Sequence, residues 1–296
     1  MSKHRKRKPD IGHQIYMRLY RMYESGKGRS RHADKKTGDD VKRIYSTRTY
    51  QTYRQQGKAF AAFAKKKGYT DLAAAKEIVP EYLQGMIDRN LSPYTVRTAA
   101  SAIGKLYGVD YGSFGVKMPE RHRNEITNNR GTSVAVSRRH VSAVTLERYG
   151  SILRCCGLRR KEALLAHGND LICKNGQYFI DIPRGKGGKH RDAIVCGSPS
   201  EIEAVVKKFR DAGNDLVWVA GIPKDIPIHR FRSEYAERVY KSVARPIEGL
   251  NGHDRYICRG DMAGVVYDRA ALVYTSRQLG HNRESVVAAN YLHGGV

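Results

Sequence analysis

Long apolar runs are missing from this sequence. None of its 296 residues belongs to a stretch of about 20 consecutive apolar side chains, the length that a membrane-spanning helix needs. The basic segment Met1–Pro9 is not followed by an apolar segment, so it lacks the pattern of a secretory signal. We therefore expect a protein that works in the cytoplasm and has no membrane partner.

Cysteine is scarce and unpatterned. The sequence has five cysteines, none in a CxxC pair, and Cys155 and Cys156 are adjacent within an apolar segment. Disulfide frameworks and zinc sites normally show even counts or regular spacings. The pattern favours buried, reduced thiols over a disulfide or a zinc site, and we expect neither a metal nor another cofactor.

Acidic residues are few relative to basic ones. The 29 Asp and Glu face 54 Lys and Arg, which gives a formal net charge of +25. Such an excess destabilises a compact fold by self-repulsion unless a polyanion is bound. The charge alone does not identify the polyanion, since DNA, RNA and membrane surfaces would all attract it. Because the basic residues extend from Lys3 to Arg283, the pattern favours two domains that share one DNA duplex.

The chain divides into four segments by composition. Residues 1–40 are rich in Lys, Arg, Gly and Ser and predict a basic flexible arm, with one short amphipathic helix at Ile15–Tyr23. Residues 41–116 show helical spacing of apolar side chains and predict a helical DNA-binding domain. Residues 117–140 are polar and basic and predict an interdomain linker against DNA. Residues 141–296 have a mixed pattern and predict a second domain.

Helix and strand signals alternate in residues 141–296. Helices are predicted at about Leu146–Ala166, Ser200–Ala212, His229–Val243, Arg269–Leu279 and Glu284–Leu292. Strands are predicted at Leu171–Cys173, Tyr178–Ile182 and Ala193–Val195. The fold class expected for the whole chain is mainly α with a small antiparallel β-sheet.

Two spots in this domain carry basic side chains suited to phosphate. Arg159 follows a Gly-Leu pair and precedes Glu162 by three residues. An arginine grips two phosphate oxygens with its planar fork, although Arg and Glu at this spacing are usually a solvated ion pair. The neighbouring Arg160 lies on a different helical face, so Arg160→Lys is expected to have almost no effect. Lys186 lies in a glycine-rich turn and can reach a DNA groove, although ordinary surface turns look the same.

The glycine-rich turn around Lys186 does not form a nucleotide-binding loop. That loop has the pattern G-x-x-x-x-G-K-[ST], whereas here His190 follows Lys189 and a strand continues. We therefore exclude an ATP site.

Two further spots place histidine near arginine or tyrosine. His229 and Arg232 are three residues apart, so one helical face presents both. His281 follows Leu279-Gly280 and precedes Tyr291 by ten residues. Each signal alone is weak, since a single histidine is more often a structural hydrogen-bonding group and most of the 19 tyrosines must serve packing or binding.

The order of these spots resembles the tyrosine recombinase (phage integrase) family. The matching segments are CGLRRKEALL, GKGGKHRDAIV, HRFRSEYAERVY and SRQLGHNRESVVAANYL, and LSPYTVRTAASAIGKLYG is similar to the core-binding domain of that family. The resemblance covers about residues 41–296. It implies a helical core-binding domain followed by an α+β catalytic domain.

The resemblance also implies roles for single residues. The implied catalytic set is Arg159, Lys186, His229, Arg232, His281 and Tyr291. Tyr291 would be the nucleophile, the two arginines would grip the phosphate, and Glu162 would support the first of them. The sequence departs from the family in two places. In many members the tyrosine is the ninth residue after the last histidine, whereas here it is the tenth, and residues 246–268 exceed the compact pattern.

The implied activity is site-specific DNA recombination, integration or excision, through a 3′-phosphotyrosine intermediate. The implied partners are double-stranded recombination sites, three further copies of the chain in a homotetramer, and a DNA-bending host factor or an excisionase. Such an enzyme would be associated with the nucleoid. Three alternatives stay open: a Xer-type dimer resolvase, a type IB topoisomerase, and a DNA-binding accessory protein without catalysis.

Overall fold

The computed structural model describes residues 9–122, 141–185 and 188–292, which contain eleven α-helices and five β-strands. The chain divides into two compact units, Met1–His122 and Arg123–Val296. The division falls within the predicted linker, whose residues 123–140 lie outside the described part. No helix of the described part has the length and apolar character needed to cross a bilayer.

The first unit is helical, as the apolar spacing predicts. Its helices are α1 (Ile11–Glu24), α2 (Arg31–Thr37), α3 (Thr47–Lys66), α4 (Val79–Asp88) and α5 (Pro93–Tyr107). Short 3₁₀ turns occupy Asp39–Lys42, Ala74–Ile78 and Tyr111–Phe114. Side chains from α1, α3, α4 and α5 share one buried core.

Helix α1 differs from the predicted flexible arm. The short helix predicted at Ile15–Tyr23 is present within α1, but Ile11, Ile15 and Leu19 are buried in the core, so this part of residues 1–40 is not a flexible arm. Gly57 of α3 permits the close approach, because a Cβ at that position would lie 2.7 Å from Cγ2 of Ile15. The three core residues are spaced by four, but basic and polar neighbours hide this stripe in the composition.

The second unit combines helices with a small sheet, so the predicted fold class is confirmed. Its helices are α6 (Ala143–Cys156), α7 (Arg160–Leu164), α8 (Pro199–Ala212), α9 (Ile228–Val243), α10 (Arg269–Gln278) and α11 (Glu284–Asn290). Strands β1 (Leu171–Lys174), β2 (Gln177–Ile182) and β3 (Arg191–Ile194) form an antiparallel sheet in that order. Ile180 pairs with Leu171 on one side and with Ala193 on the other.

The prediction of a single helix over Leu146–Ala166 is wrong, because the helix is interrupted at Gly157. This glycine adopts a left-handed backbone with φ of 60°, and a Cβ there would overlap the ring of Tyr235. The break ends α6 and starts α7 after Arg159, which has an extended backbone. Arg159 therefore leaves the helical path and faces the start of α9 and the end of α10.

A second hairpin occupies the segment that exceeds the family pattern. Strands β4 (Arg255–Ile257) and β5 (Val266–Asp268) pair antiparallel, with Tyr256 opposite Tyr267. The buried Asp268 accepts from the guanidinium of Arg245 at 2.8 and 2.9 Å. This ion pair holds the pKa of Asp268 well below its usual range and ties the hairpin to the chain after α9.

Candidate active site

One pocket of the second unit collects most of the predicted site residues. It has a volume of about 590 Å³ and lies between the start of α7, the start of α9 and the C-terminal region. Its lining includes Arg159, His229, Arg232, His281 and Tyr291. The sixth predicted residue, Lys186, lies outside the described residues.

Tyr291 follows the last residue of α11 and is nearly buried, with 6% of its surface exposed. Its hydroxyl accepts from Nε of Arg232 at 3.3 Å and lies 3.2 Å from Nε2 of His281. Its ring stacks on the ring of His229, with centroids 5.4 Å apart and planes at 9°. Three of the predicted residues therefore surround this phenol.

Arg232 is a buried residue of α9 and donates to carbonyl oxygens of other parts of the second unit. Its exposed fraction is 2%, and its two terminal nitrogens donate to the carbonyl oxygens of Gly157 and Leu279. Burial lowers the pKa of Arg232 to about 10, and the like charges of Arg159 and Arg191 act in the same direction. The guanidinium is still charged at neutral pH, so the pocket keeps a fixed positive group beside Tyr291.

Arg159 reaches the same carbonyl from the other side. Its Nη2 donates to the oxygen of Leu279 at 2.9 Å, and its Nη1 donates to Glu162 at 2.7 Å. The carboxylate of Glu162 also accepts from the backbone N–H of Arg159 at 2.8 Å. Both predicted arginines thus converge on one peptide oxygen, although they are far apart in the sequence.

Arg191 is a site residue that the motif comparison missed. It is 8% exposed and donates to both carboxylate oxygens of Glu162, at 3.0 and 2.7 Å. Its Nε donates to the carbonyl oxygen of Gln278 at 3.1 Å. A signal was present in the sequence: Arg191 shares its strand face with buried Ala193, and a buried arginine requires a carboxylate partner.

Glu162 is the common partner of these two arginines. Its burial opposes ionisation, but the hydrogen bonds and charge of Arg191, together with the contacts to Arg159, outweigh burial and lower the pKa of Glu162 to about 2. An ionised Glu162 therefore holds two guanidinium groups in place: that of Arg159, next to α7, and that of Arg191, on β3. This result is consistent with the supporting role expected for the acid.

The ten-residue interval does not separate His281 from Tyr291. Helix α10 ends at Gln278, Gly280 turns the chain with φ of 63°, and α11 begins at Glu284. The backbone N–H of His281 donates to the oxygen of Ser276 at 2.7 Å, which fixes the turn. His281 and Tyr291 are therefore in contact although ten positions apart in the sequence.

Arg160 was expected on a different helical face from Arg159, with Arg160→Lys almost without effect, but its contacts reach further than this expectation. It lines the same pocket as Arg159, and its terminal nitrogens donate to four backbone carbonyl oxygens between Ile222 and Ile226. These partners lie more than 60 residues away in the sequence, so the motif gave no sign of them.

One group outside the pocket has the geometry of a metal site. Within the described ranges, the ligand atoms of Asp181, His190 and Asp192 lie within 4.8 Å of one another. His190 is 2.6 Å from Asp181, and Lys174 is 2.5 Å from Asp192. The acids therefore already have cationic or hydrogen-bonding partners on the sheet surface, and none of the three residues lines the pocket.

Comparison with known proteins gives a likeness in structure but none in sequence. No family model and no curated protein matches the chain. The crystal structure of the XerH site-specific recombinase bound to palindromic difH substrate, a post-cleavage complex, has a TM-score of 0.51 at 15% identity and covers 94% of this chain and 89% of that one. The pre-cleavage complex of XerH with difH substrate has a TM-score of 0.50 at 17% identity, with coverage of 96% and 91%. The chain therefore has the fold of the tyrosine recombinases.

Proposed function

We propose that this protein is a tyrosine site-specific recombinase that cuts and rejoins DNA through a 3′-phosphotyrosine at Tyr291. The main support for this proposal is that Arg232, His229 and His281 all contact the buried side chain of Tyr291. The XerH structures, which contain difH substrate, and the net charge of +25 support double-stranded DNA as the partner.

The pocket supplies what a tyrosine nucleophile needs. A phenol is a weak nucleophile at neutral pH because it holds its proton. His281 and Arg232 both contact the hydroxyl of Tyr291. The histidine can take part in removing the proton, and the arginine stabilises the oxygen anion that results. The oxygen then attacks the scissile phosphorus and becomes bonded to the 3′ side of the break.

The two arginines would stabilise the transition state. Negative charge grows on the non-bridging oxygens as the phosphorus becomes five-coordinate, and groups fixed before the reaction stabilise that charge without reorganising. Arg159 and Arg232 are fixed in this way, because both donate to the carbonyl of Leu279. Lys186 would give a proton to the leaving 5′-oxygen, with His229 as a general acid–base.

The reverse reaction needs no added energy source. The phosphodiester energy stays in the phosphotyrosine, so a 5′-hydroxyl from a partner duplex can attack it and release Tyr291. We propose that two such exchanges occur in a homotetramer on two recombination sites, aided by a DNA-bending host factor or an excisionase. Because the proposed substrate is double-stranded DNA, we assign the protein to the cytoplasm, in association with the nucleoid.

The two units would divide the work on DNA. We propose that the first unit is the core-binding domain, extended beyond the predicted residues 41–116 by α1, and that residues 141–296 are the catalytic domain. Residues 117–140 would connect them along the duplex.

Integration and dimer resolution use the same chemistry. A Xer-type dimer resolvase is therefore the second candidate. A type IB topoisomerase would relax supercoiled DNA without site preference, and an accessory protein would bind DNA without forming an adduct.

Trapping of a covalent adduct tests the proposal. A binding site is first selected from random-sequence duplexes with the wild-type protein and then built as a nicked suicide substrate. We expect wild type to form an adduct that survives a denaturing gel and Tyr291→Phe to form none, since phenylalanine lacks the nucleophilic oxygen, while DNA affinity is retained. Tyr274→Phe, a partly buried tyrosine of α10 outside the pocket lining, is the matched control and should form the adduct. An adduct with Tyr291→Phe would show that the nucleophile is another residue.

A further inference from the structure

Arg160 clamps the loop that leads into α9. Its Nη1 donates to the carbonyl oxygens of Ile222 and Pro223, both at 3.1 Å. Its Nη2 donates to the oxygens of Lys224 at 3.1 Å and Ile226 at 2.7 Å. One guanidinium therefore binds four peptide oxygens within five consecutive residues. We call residues 222–227 the clamped loop.

The clamped loop determines where α9 begins. The N-cap residue of this helix is Pro227, which has no polar side chain to cap the first turn. Ile222 and Ile226 are buried in the core of the second unit and hold one side of the loop. The carbonyl side is held by Arg160. The start of α9 is thus fixed from both sides by contacts that lie outside the helix.

His229 is the second residue of α9 and lies just after this loop. Its ring stacks on Tyr291, and the clamped loop itself lines the pocket through Lys224, Asp225 and Ile226. A shift of the loop would therefore move the histidine against the nucleophile. Displacement of a reacting group by about 1 Å costs about 10²-fold in rate.

We infer that Arg160 is a positioning residue of the active site, and this inference rests on the proposed function. It acts through the clamped loop on His229. Its role differs from that of Arg159, since both of its terminal nitrogens donate to the loop. A lysine cannot replace it, because an ammonium has three donors on one atom and cannot span oxygens that the planar fork holds in a row.

The test compares Arg160→Ala with Lys161→Ala, which removes an equal charge from the next, exposed position of the same helix. We expect Arg160→Ala to lower single-turnover cleavage of the suicide substrate by about 10²-fold relative to Lys161→Ala, at matched DNA affinity. Ethylguanidinium, which replaces the missing atoms, should restore cleavage, whereas ammonium at the same concentration should not. A purely structural loss of stability would not respond to this difference between cations.

Hydrogen exchange gives a second measurement that does not need activity. The N–H groups of Ile226 and Ile228 donate to oxygens of the same loop, at 3.1 and 2.9 Å. We expect a peptide covering residues 222–231 to exchange faster in Arg160→Ala than in Lys161→Ala, and ethylguanidinium to slow it again. Unchanged exchange would overturn the clamp. Faster exchange with cleavage equal to that of Lys161→Ala would overturn the positioning role. If wild type forms no adduct, the proposed function fails, whereas faster exchange would still support the clamp.

Discussion

Removal of the charge on Glu162 should destabilise the second unit more than removal of any exposed carboxylate. Glu162→Gln keeps the size of the side chain but leaves Arg191, which is 8% exposed, without its carboxylate. Breaking a buried pair by neutralising one partner costs about 3–5 kcal/mol, because the remaining charge is desolvated and unpaired. The side chain of Glu162 is 6% exposed, so we expect a loss within this range, about 3 kcal/mol.

The pH dependence gives an independent magnitude for the same contact. The folded protein holds the pKa of Glu162 at about 2, below its ordinary value of 4.5. A lowered carboxylate pKa stabilises the fold fully above pH 4.5, and this contribution is lost as the pH falls from 4.5 towards 2. The Glu162→Gln variant should lack this contribution, so its stability should fall less steeply over that range.

Urea unfolding of the second unit, followed at pH 7 and through the acid range, measures both effects. The matched control is Glu147→Gln, since Glu147 also forms a two-pronged contact with an arginine, Arg154, but is 62% exposed. An exposed pair contributes about 0–1 kcal/mol. If the two variants lose equal stability, Glu162 is not the buried anchor that we describe.

Two further predictions concern the chemistry. Arg159→Lys and Arg232→Lys keep the charge but lose the planar fork, so each should lower the rate of single-turnover cleavage by about 10²–10³-fold while DNA affinity changes little. Cleavage rates equal to that of Lys161→Ala would show that the two arginines do not take part in cleavage. Cleavage should persist in EDTA without nucleotide, because the pocket groups carry the charge and proton steps; dependence of the adduct on magnesium would refute the mechanism.

Five of the eleven residues that line the pocket were predicted from the sequence, because each motif fixes its own local geometry. His229 and Arg232 share a helical face wherever α9 lies, and a glycine before Arg159 allows the chain to leave the helix. The strands were predicted well for the same reason: the observed β1, Leu171–Lys174, extends the expected strand by one residue. What joins these pieces across the chain was supplied by the resemblance to the family.

The N-terminal segment shows where composition misleads. Residues 1–40 have the charge and glycine content of a flexible arm, yet α1 contributes Ile11, Ile15 and Leu19 to the core. Three apolar residues spaced by four are enough to bury one helical face when the partner helix has a glycine at the contact. Removal of the whole predicted arm would therefore also open the core of the first unit.

The turn after α10 is where side chains from distant parts of the second unit meet. Arg159, just before α7, and Arg232 from α9 donate to the carbonyl of Leu279, and Arg191 from β3 donates to the carbonyl of the preceding Gln278. Gly280 lets the chain turn there, since a Cβ would lie 3.0 Å from Cδ of Arg191. The same turn carries His281, so the peptide that orients the arginines also orients a residue in contact with Tyr291. The Leu-Gly-His string thus has a structural role beyond its histidine. The carbonyl of its leucine, Leu279, and that of the preceding Gln278 are the acceptors around which three arginines are arranged.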